Sequence, residues 1–372
     1  MKYCKICLIP NTRPNSEFHD GICQGCLAYK KQKTTNWSQR LKELEILCDK
    51  YRGCNGDDYD CAIAVSGGKD SHFQVYYMKE VMKMNPVLLG VSNFHGTDVG
   101  EKNLENISDT FGCDMIVHVP NKNLTRRLTK IAFEKIGQPT WYIDQLIYAF
   151  PVKMSLKLKL NLLVYGENTS YTYGGHESVE TPSAMNQPLN KVVRPLHDQL
   201  IEENLVTPQE MQFSRFVSLD ECKSGNLEPI YLSYFVPWNT VHNYEVAKRY
   251  GFRDLTHEHT REGTIENYNS IDNLGYLVNQ FLKYPKFAQA SATEMASRWI
   301  RYGLKTREEM IPIVEEKDGK LDQGIVEKFC EFTRISTREF FEVLDKWYNT
   351  ELFEQDSDGI WHPKFKVGTD FP

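Results

Sequence analysis

Short unbroken apolar runs alternate along this chain with longer stretches in which apolar residues return every three or four positions. Runs of the first kind, at 61–65, 87–91, 115–119 and 162–165, have the composition of strands buried on both faces of a sheet. The second pattern predicts a helix after the first run, with Phe73, Tyr77, Val81 and Met84 on one face. Further helices are expected over 99–111, 124–136 and 144–160, the last kinked or split at Pro151. Residues 37–52 read as a connecting helix through Leu41, Leu44, Ile46 and Leu47, and the Gly-, Asn- and Asp-rich 53–58 as a turn into the first strand. Past residue 200 the pattern becomes largely helical, with candidates at 240–249, 271–282, 294–302, 307–314 and 338–348. The expectation is an α/β fold built on a doubly wound parallel sheet, followed by a mainly helical C-terminal region. Three units are predicted: 1–36, 37–200 and 201–372.

In a doubly wound sheet ligands gather at the strand C-termini. Three loops then converge, at 66–71, 92–97 and 166–175. The first, Ser66-Gly67-Gly68-Lys69-Asp70-Ser71, follows a strand and opens a helix. Glycines let backbone approach phosphate closely, and free N–H groups with the helix dipole favour negative charge. Ser66 and Ser71 add hydroxyls, Lys69 a point charge, and Asp70 an acid that can steer Mg2+ or cap the helix. The Walker pattern G-x-x-x-x-G-K-[ST] does not fit this stretch.

The N-terminus carries Cys4 and Cys7, then Cys23 and Cys26, two C-x-x-C knuckles with the spacing of a four-thiolate zinc site. Four equivalent ligands leave no open position, so the expected zinc is structural. An iron–sulfur cluster is the chemical alternative. His95, His176, His257 and His259 are scattered and lack H-E-x-x-H spacing, which favours surface or hydrogen-bonding roles. His176 stands apart because 174–177 continues from the 166–175 loop.

The loop Ser-Gly-Gly-Lys-Asp-Ser resembles the pyrophosphate loop of the PP-loop ATP pyrophosphatases, the adenine-nucleotide α-hydrolase-like superfamily. That resemblance implies ATP and Mg2+ as cofactors, held by Ser66 to Ser71, with Lys69 and Asp70 in catalytic roles. It implies that Ser92 and Asn93 meet the adenosine and that Gly166, Glu167 and Asn168 close over the nucleotide. Taken with the cysteine knuckles and the stretch Val193-Arg194-Pro195-Leu196, the chain resembles one branch of that superfamily. The branch is the N-acetyl sugar amidotransferases of surface-polysaccharide and nonulosonic acid biosynthesis, the group containing WbpG and PseA. The implied reaction is ATP-dependent: the N-acetyl oxygen of an amino sugar, often nucleotide-linked, is adenylated and then replaced by ammonia, giving an acetamidino group. Lipopolysaccharide O-antigen and pseudaminic acid pathways are where the resemblance places such chemistry. It implies an ammonia-supplying glutaminase and cyclase pair resembling the subunits of imidazole glycerol phosphate synthase, since Cys4 is committed to a knuckle and no glutaminase domain is visible.

Composition narrows the alternatives. Lys+Arg number 44 against Asp+Glu 50, a net charge of −6, which argues against a nucleic-acid partner. No apolar run reaches membrane-spanning length and no leader is visible, so a cytoplasmic protein is expected. Two rivals remain: a PP-loop tRNA thiolation enzyme and a non-catalytic ATP-binding module. The thiolation reading is weakened because Cys113, Cys222 and Cys330 stand alone.

Overall fold

A computed structural model describes residues 1–14, 16–92, 95–169, 180–185 and 196–372 of the 372-residue chain. Its centre is a five-stranded sheet of β3 (Cys61–Val65), β4 (Pro86–Val91), β5 (Met115–His118), β6 (Leu162–Tyr165) and β7 (Glu228–Tyr231). The order is β5-β4-β3-β6-β7 and every pairing is parallel. The chain leaves β3 in one direction through β4 and β5, then returns to β6 on the other side. The chain reverses at β3, so the loop after β3 opens at the switch point where such sheets hold ligands.

Alternate residues of the central strands feed two cores, one on each face. Ile63, Val65, Leu88 and Val164 pack with Leu44, Cys48, Phe73 and Met78. Ala62, Val87, Leu89 and Leu163 pack with Trp141, Leu146 and Phe150 on the opposite side. Helices therefore cover both faces, and the continuous apolar runs of the strands follow from burial on two sides. Among the described residues no helix is long and apolar enough to cross a membrane.

Four local details depart from the sequence pattern. The helix expected to break at Pro151 runs unbroken over Trp141–Lys157. Leu146, Ala149, Phe150 and Ser155 are buried on both sides of the proline, and that packing offsets the lost backbone bond. The helix after β3 covers Lys69–Val75 and then widens into a π-helical segment, Tyr76–Val81. The extra residue per turn rotates the expected face, leaving Val81 exposed while Phe73 and Met84 stay buried. The fifth strand comes from Glu228–Tyr231, in the stretch read as helical; Pro229 is tolerated because β7 lies at the sheet edge. A helix at Gln323–Thr333 was not anticipated, although Ile325, Val326, Phe329 and Cys330 give it a buried stripe.

The C-terminal helices Leu274–Phe287, Ser291–Tyr302, Gln323–Thr333 and Thr337–Asp345 share a core with Phe133, Ala247 and Phe252, and Arg307–Lys317 packs through Met310 and Val314 on Ala292 and Ala296. Backbone pairing fixes this region over the sheet: Thr97 N donates to Asp272 O, and Leu274 N to His95 O at 2.8 Å. The N-terminal segment lies against the same helices. Leu8 is buried with Ala292, Ala296, Met310 and Val314, and Leu8 N donates to Ser297 Oγ. Met1 and Phe371 exchange hydrogen bonds, so the described ends of the chain meet.

Candidate nucleotide cleft and metal centre

The loop after β3 is held by its own side chains. Ser71 Oγ accepts from Ser66 N at 3.0 Å, and Ser66 Oγ accepts from Gly68 N at 3.4 Å. Gly67 sits at φ +86°, and a Cβ there would come within 2.9 Å of the backbone N of Leu104. Conformation and space both demand glycine. Gly67→Ala should therefore cost about 1–3 kcal/mol and lower the denaturant midpoint without changing the slope.

Beneath the loop lies a buried relay. His72 is fully buried, and burial lowers its pKa to about 4, so it is neutral. Asn106 Nδ2 donates to Tyr250 O at 2.7 Å and lies 3.1 Å from His72 Nε2. With Nε2 as acceptor, the proton sits on Nδ1 and is donated to Gly68 O, 3.1 Å away. The carbonyl of the second loop glycine is thus fixed from below. Lys69, almost completely buried, donates to Asp70 Oδ2 at 2.6 Å. Asp70 Oδ1 accepts from Asn243 Nδ2 at 2.8 Å, on the Thr240–Arg249 helix packed along Lys69–Val75.

A cleft of about 290 Å³ opens over this loop. Ser66, Gly68, Lys69 and Asp70 line it on one side, joined by Val91, Ile147 and Glu167. The other wall comes from the C-terminal region: Tyr268 to Asp272, Tyr276, Gln280, Ser291, Glu294, Met295 and Arg298. Gly67 and Ser71 complete the loop behind this lining.

The remaining expected contacts are placed as follows. Gly166 packs against Gln74 and Trp238, where a Cβ would come to 3.1 Å, and its carbonyl accepts from Ser233 N. Asn168 is buried and its N–H donates to Ser233 Oγ at 3.1 Å, so these two shape the turn that presents Glu167. Ser92 continues the ladder past β4, donating its N–H to His118 O; the cleft lining at this strand end is Val91. Asn93, His176 and 193–195 fall outside the described residues. His95 is buried and stacks on Phe332 at 4.4 Å, His257 is exposed, and His259 lies 2.9 Å from Glu258.

The C-terminal wall holds residues that the sequence pattern did not single out. Burial raises the carboxyl of Asp272 to about 6, with Asp144 adding repulsion. Asp144 is itself raised by burial although Tyr276 and Thr140 each donate to it at 2.7 Å. Glu294 stays below the usual carboxylate range: burial opposes this, but Lys283, Arg13 and Arg298 together outweigh it. Glu294 and Arg298 lie one turn apart on a buried helix face with Ser291 and Met295, and that charged pair beside Met295 was the available signal.

At the other end of the C-terminal region the four cysteines of the knuckles converge. The sulfurs of Cys4 and Cys26 are 3.8 Å apart, those of Cys7 and Cys23 3.6 Å, and all four lie within 4.8 Å of one another. Four thiolates at about 2.3 Å from one zinc ion would be roughly 3.8 Å apart, so the cluster fits that ion. Ile6 N and Cys23 N donate to Cys4 Sγ. Asp20 and Gly21, both at positive φ, form the tight turn between β1 (Phe18–His19) and β2 (Ile22–Cys23) that delivers the second pair. Arg307 donates to the carbonyls of Cys4 and Cys7 and fastens the knuckle to the helices. Among the described residues this is the one cluster of metal-ligating side chains.

Residues 262–366 match the family described as LPS biosynthesis protein WbpG-like, C-terminal domain. Over those residues the chain resembles WbpG-like proteins. They supply most of the second cleft wall, from Tyr268 to Arg298. An uncharacterized protein of Methanocaldococcus jannaschii, MJ1599, is 25% identical over 178 residues. That alignment takes in 47% of this chain, which thus spans about three fifths (61%) of the relative's length. Two solved structures are similar at low level. A predicted subunit of tRNA methyltransferase from M. jannaschii has a TM-score of 0.29 at 15% identity, covering 60% of this chain and 85% of that one. NMN synthetase from Francisella tularensis has a TM-score of 0.30 at 8% identity, covering 81% and 94%.

Proposed function

We propose that this chain is an ATP-using amidotransferase that converts an N-acetyl group on an amino sugar to an acetamidino group, in the assembly of lipopolysaccharide O-antigen, pseudaminic acid or a related surface glycan. One observation carries the reading. The Ser-Gly-Gly-Lys-Asp-Ser loop and the segment resembling WbpG-like proteins face each other across a single cleft. A nucleotide held by the loop and an acceptor held by the opposite wall would share that space.

The chemistry asks for such an arrangement. A carboxamide oxygen is a poor leaving group. Its attack on the α-phosphorus of ATP forms a C–O–P linkage and expels pyrophosphate. The lone pair of ammonia then adds to the activated carbon, the C–O bond breaks, and AMP departs with that bonding pair. The chain's own task is electrostatic: the loop amides and Lys69 face the charge that grows on the pyrophosphate. Asp70 would be the carboxylate to hold Mg2+, which would supply further charge neutralisation. His72 and Asn243 hold the loop carbonyl and Asp70 in place. Ammonia is expected from a glutaminase partner paired with a cyclase-like subunit, as in imidazole glycerol phosphate synthase. The thiolation alternative needs a sulfur-handling cysteine at the cleft; among the described residues none lines it, Cys113, Cys222 and Cys330 are buried, and the exposed Cys54 lies in the turn before β3 rather than after it.

The nitrogen source tests the proposal. The isolated protein should form amidine from ammonium at raised pH, where NH3 is abundant, and not from glutamine. Adding the glutaminase partner should make glutamine effective, most clearly near neutral pH. Glutamine-dependent turnover by this chain alone, or turnover only with tRNA and a sulfur donor, would remove it.

A further inference from the structure

Four carboxylates line the cleft, those of Asp70, Glu167, Asp272 and Glu294. Three are engaged. Asp70 receives Lys69 and Asn243, Glu294 is held by Lys283 at 2.7 Å, and Glu167 has partners of its own. Asp272 is the exception: beyond its own backbone N–H, no described residue donates to its carboxylate. A carboxylate lining a cleft without a cation or donor costs stability rather than adding to it.

Its position is nevertheless closely fixed. Thr97 donates through Oγ1 to Ile271 O at 2.6 Å and through N to Asp272 O at 3.3 Å. Gly100 packs against it, where a Cβ would come within 2.6 Å of Asp272 Cα. Asn273 then caps the Leu274–Phe287 helix, accepting from Gly275 N at 2.6 Å. In the first turn of that helix Tyr276, which also lines the cleft, donates to Asp144, as do Thr140 and Gln138. Asp144 is thus a second carboxylate nearby, with its own donors. Burial, with repulsion from Asp144 added, raises the Asp272 carboxyl to about 6. Asp272 is therefore ionised at neutral pH yet more basic than an ordinary carboxylate.

We infer that Asp272 is the proton acceptor of the amination step, taking a proton from the nitrogen of ammonia once it has added to the adenylated acetamido carbon. The inference rests on the function proposed above. The lone pair of ammonia forms the C–N bond, the C=N pair moves onto the sugar nitrogen, and the new nitrogen carries a positive charge. In that form it is the best leaving group on the carbon, and the adduct falls back to ammonia. Transfer of one N–H proton to Asp272 returns the bonding pair to nitrogen. That pair then forms C=N, AMP leaves with the C–O pair, and Asp272 gives its proton to water. The product amidinium is a cation, formed in a cleft whose one carboxylate without a described partner is Asp272.

Half-reactions measured on the full chain separate this role from a structural one. Exchange of labelled pyrophosphate into ATP reports adenylation, and amidine formed from ammonium reports the whole reaction. The acceptors are N-acetylglucosamine, N-acetylgalactosamine, N-acetylmannosamine and the UDP derivatives of the first two. Asp272→Asn should lower amidine formation about 10²- to 10³-fold while acceptor-dependent exchange stays within about threefold. Hydroxylamine in place of ammonium should narrow the deficit to less than about tenfold, because its adduct gives up a proton to water far more readily. The thermal midpoint should not fall, since the change removes a repulsion between two carboxylates. Unchanged amidine formation by Asp272→Asn would overturn the role and leave the proposed reaction standing. So would exchange lost in step with amidine, or an equal deficit with hydroxylamine. Wild type that forms no amidine from any of these acceptors would remove the reaction itself, and the role with it.

Discussion

Lys69→Met should reduce formation of AMP and pyrophosphate by about 10²- to 10³-fold while the protein keeps its fold. Methionine preserves the length and apolar stem of a side chain that is almost completely buried, so packing is retained and the charge alone is lost. Among the described residues nothing else replaces that charge at the loop: the other cation of the cleft lining, Arg298, belongs to the opposite wall. Asp70→Asn should fall comparably, because Asp70 receives Lys69 on one oxygen and Asn243 on the other. The decisive pairing is activity with the thermal midpoint. Near-normal turnover in a folded Lys69→Met protein would show that the loop does not carry the nucleotide chemistry.

Cys23→Ser should remove the metal and free the N-terminal knuckle from the C-terminal helices. A structural zinc site of this size contributes on the order of 10 kcal/mol of folding free energy, because so short a segment has little core of its own. The loss would spread, since Leu8 fills a pocket among Ala292, Ala296, Met310 and Val314, and Arg307 caps the Cys4 and Cys7 carbonyls. Expected results are about one zinc per chain in wild type, none in the variant, and proteolysis of the variant within its first thirty or so residues. A metal-free variant with unchanged melting and protease resistance would contradict the structural role.

The loop and the knuckles were legible because their chemistry is local in sequence. Six consecutive residues after an apolar run define one, and two C-x-x-C pairs define the other. Strands β3, β4 and β6 were legible for a related reason: burial on both faces leaves unbroken apolar runs, and the half-buried edge strand β5 keeps such a run as well. The edge strand β7 was not, because Pro229 weighs against a strand until the exposed edge is known. The C-terminal cleft wall was the larger omission. Asp272, Glu294 and Arg298 lie some 200 residues from the loop they face, and charged residues within helices ordinarily read as solvated. Their burial is a tertiary fact, set by pairing of the backbone at His95 and Thr97 with Asp272 and Leu274. The aromatic residues divide in the same way: Tyr231, Phe235 and Trp238 are core, whereas Tyr268 joins the C-terminal core, stacking on Tyr244 at 4.1 Å, and also lines the cleft.

The central claim is that a substrate carbonyl oxygen attacks the α-phosphorus of ATP. Labelling the acetamido oxygen of the acceptor with ¹⁸O follows that atom through the reaction. Turnover with ATP and ammonium should release unlabelled pyrophosphate and AMP carrying one ¹⁸O in its phosphate. ADP with labelled inorganic phosphate, or AMP free of label, would contradict the account.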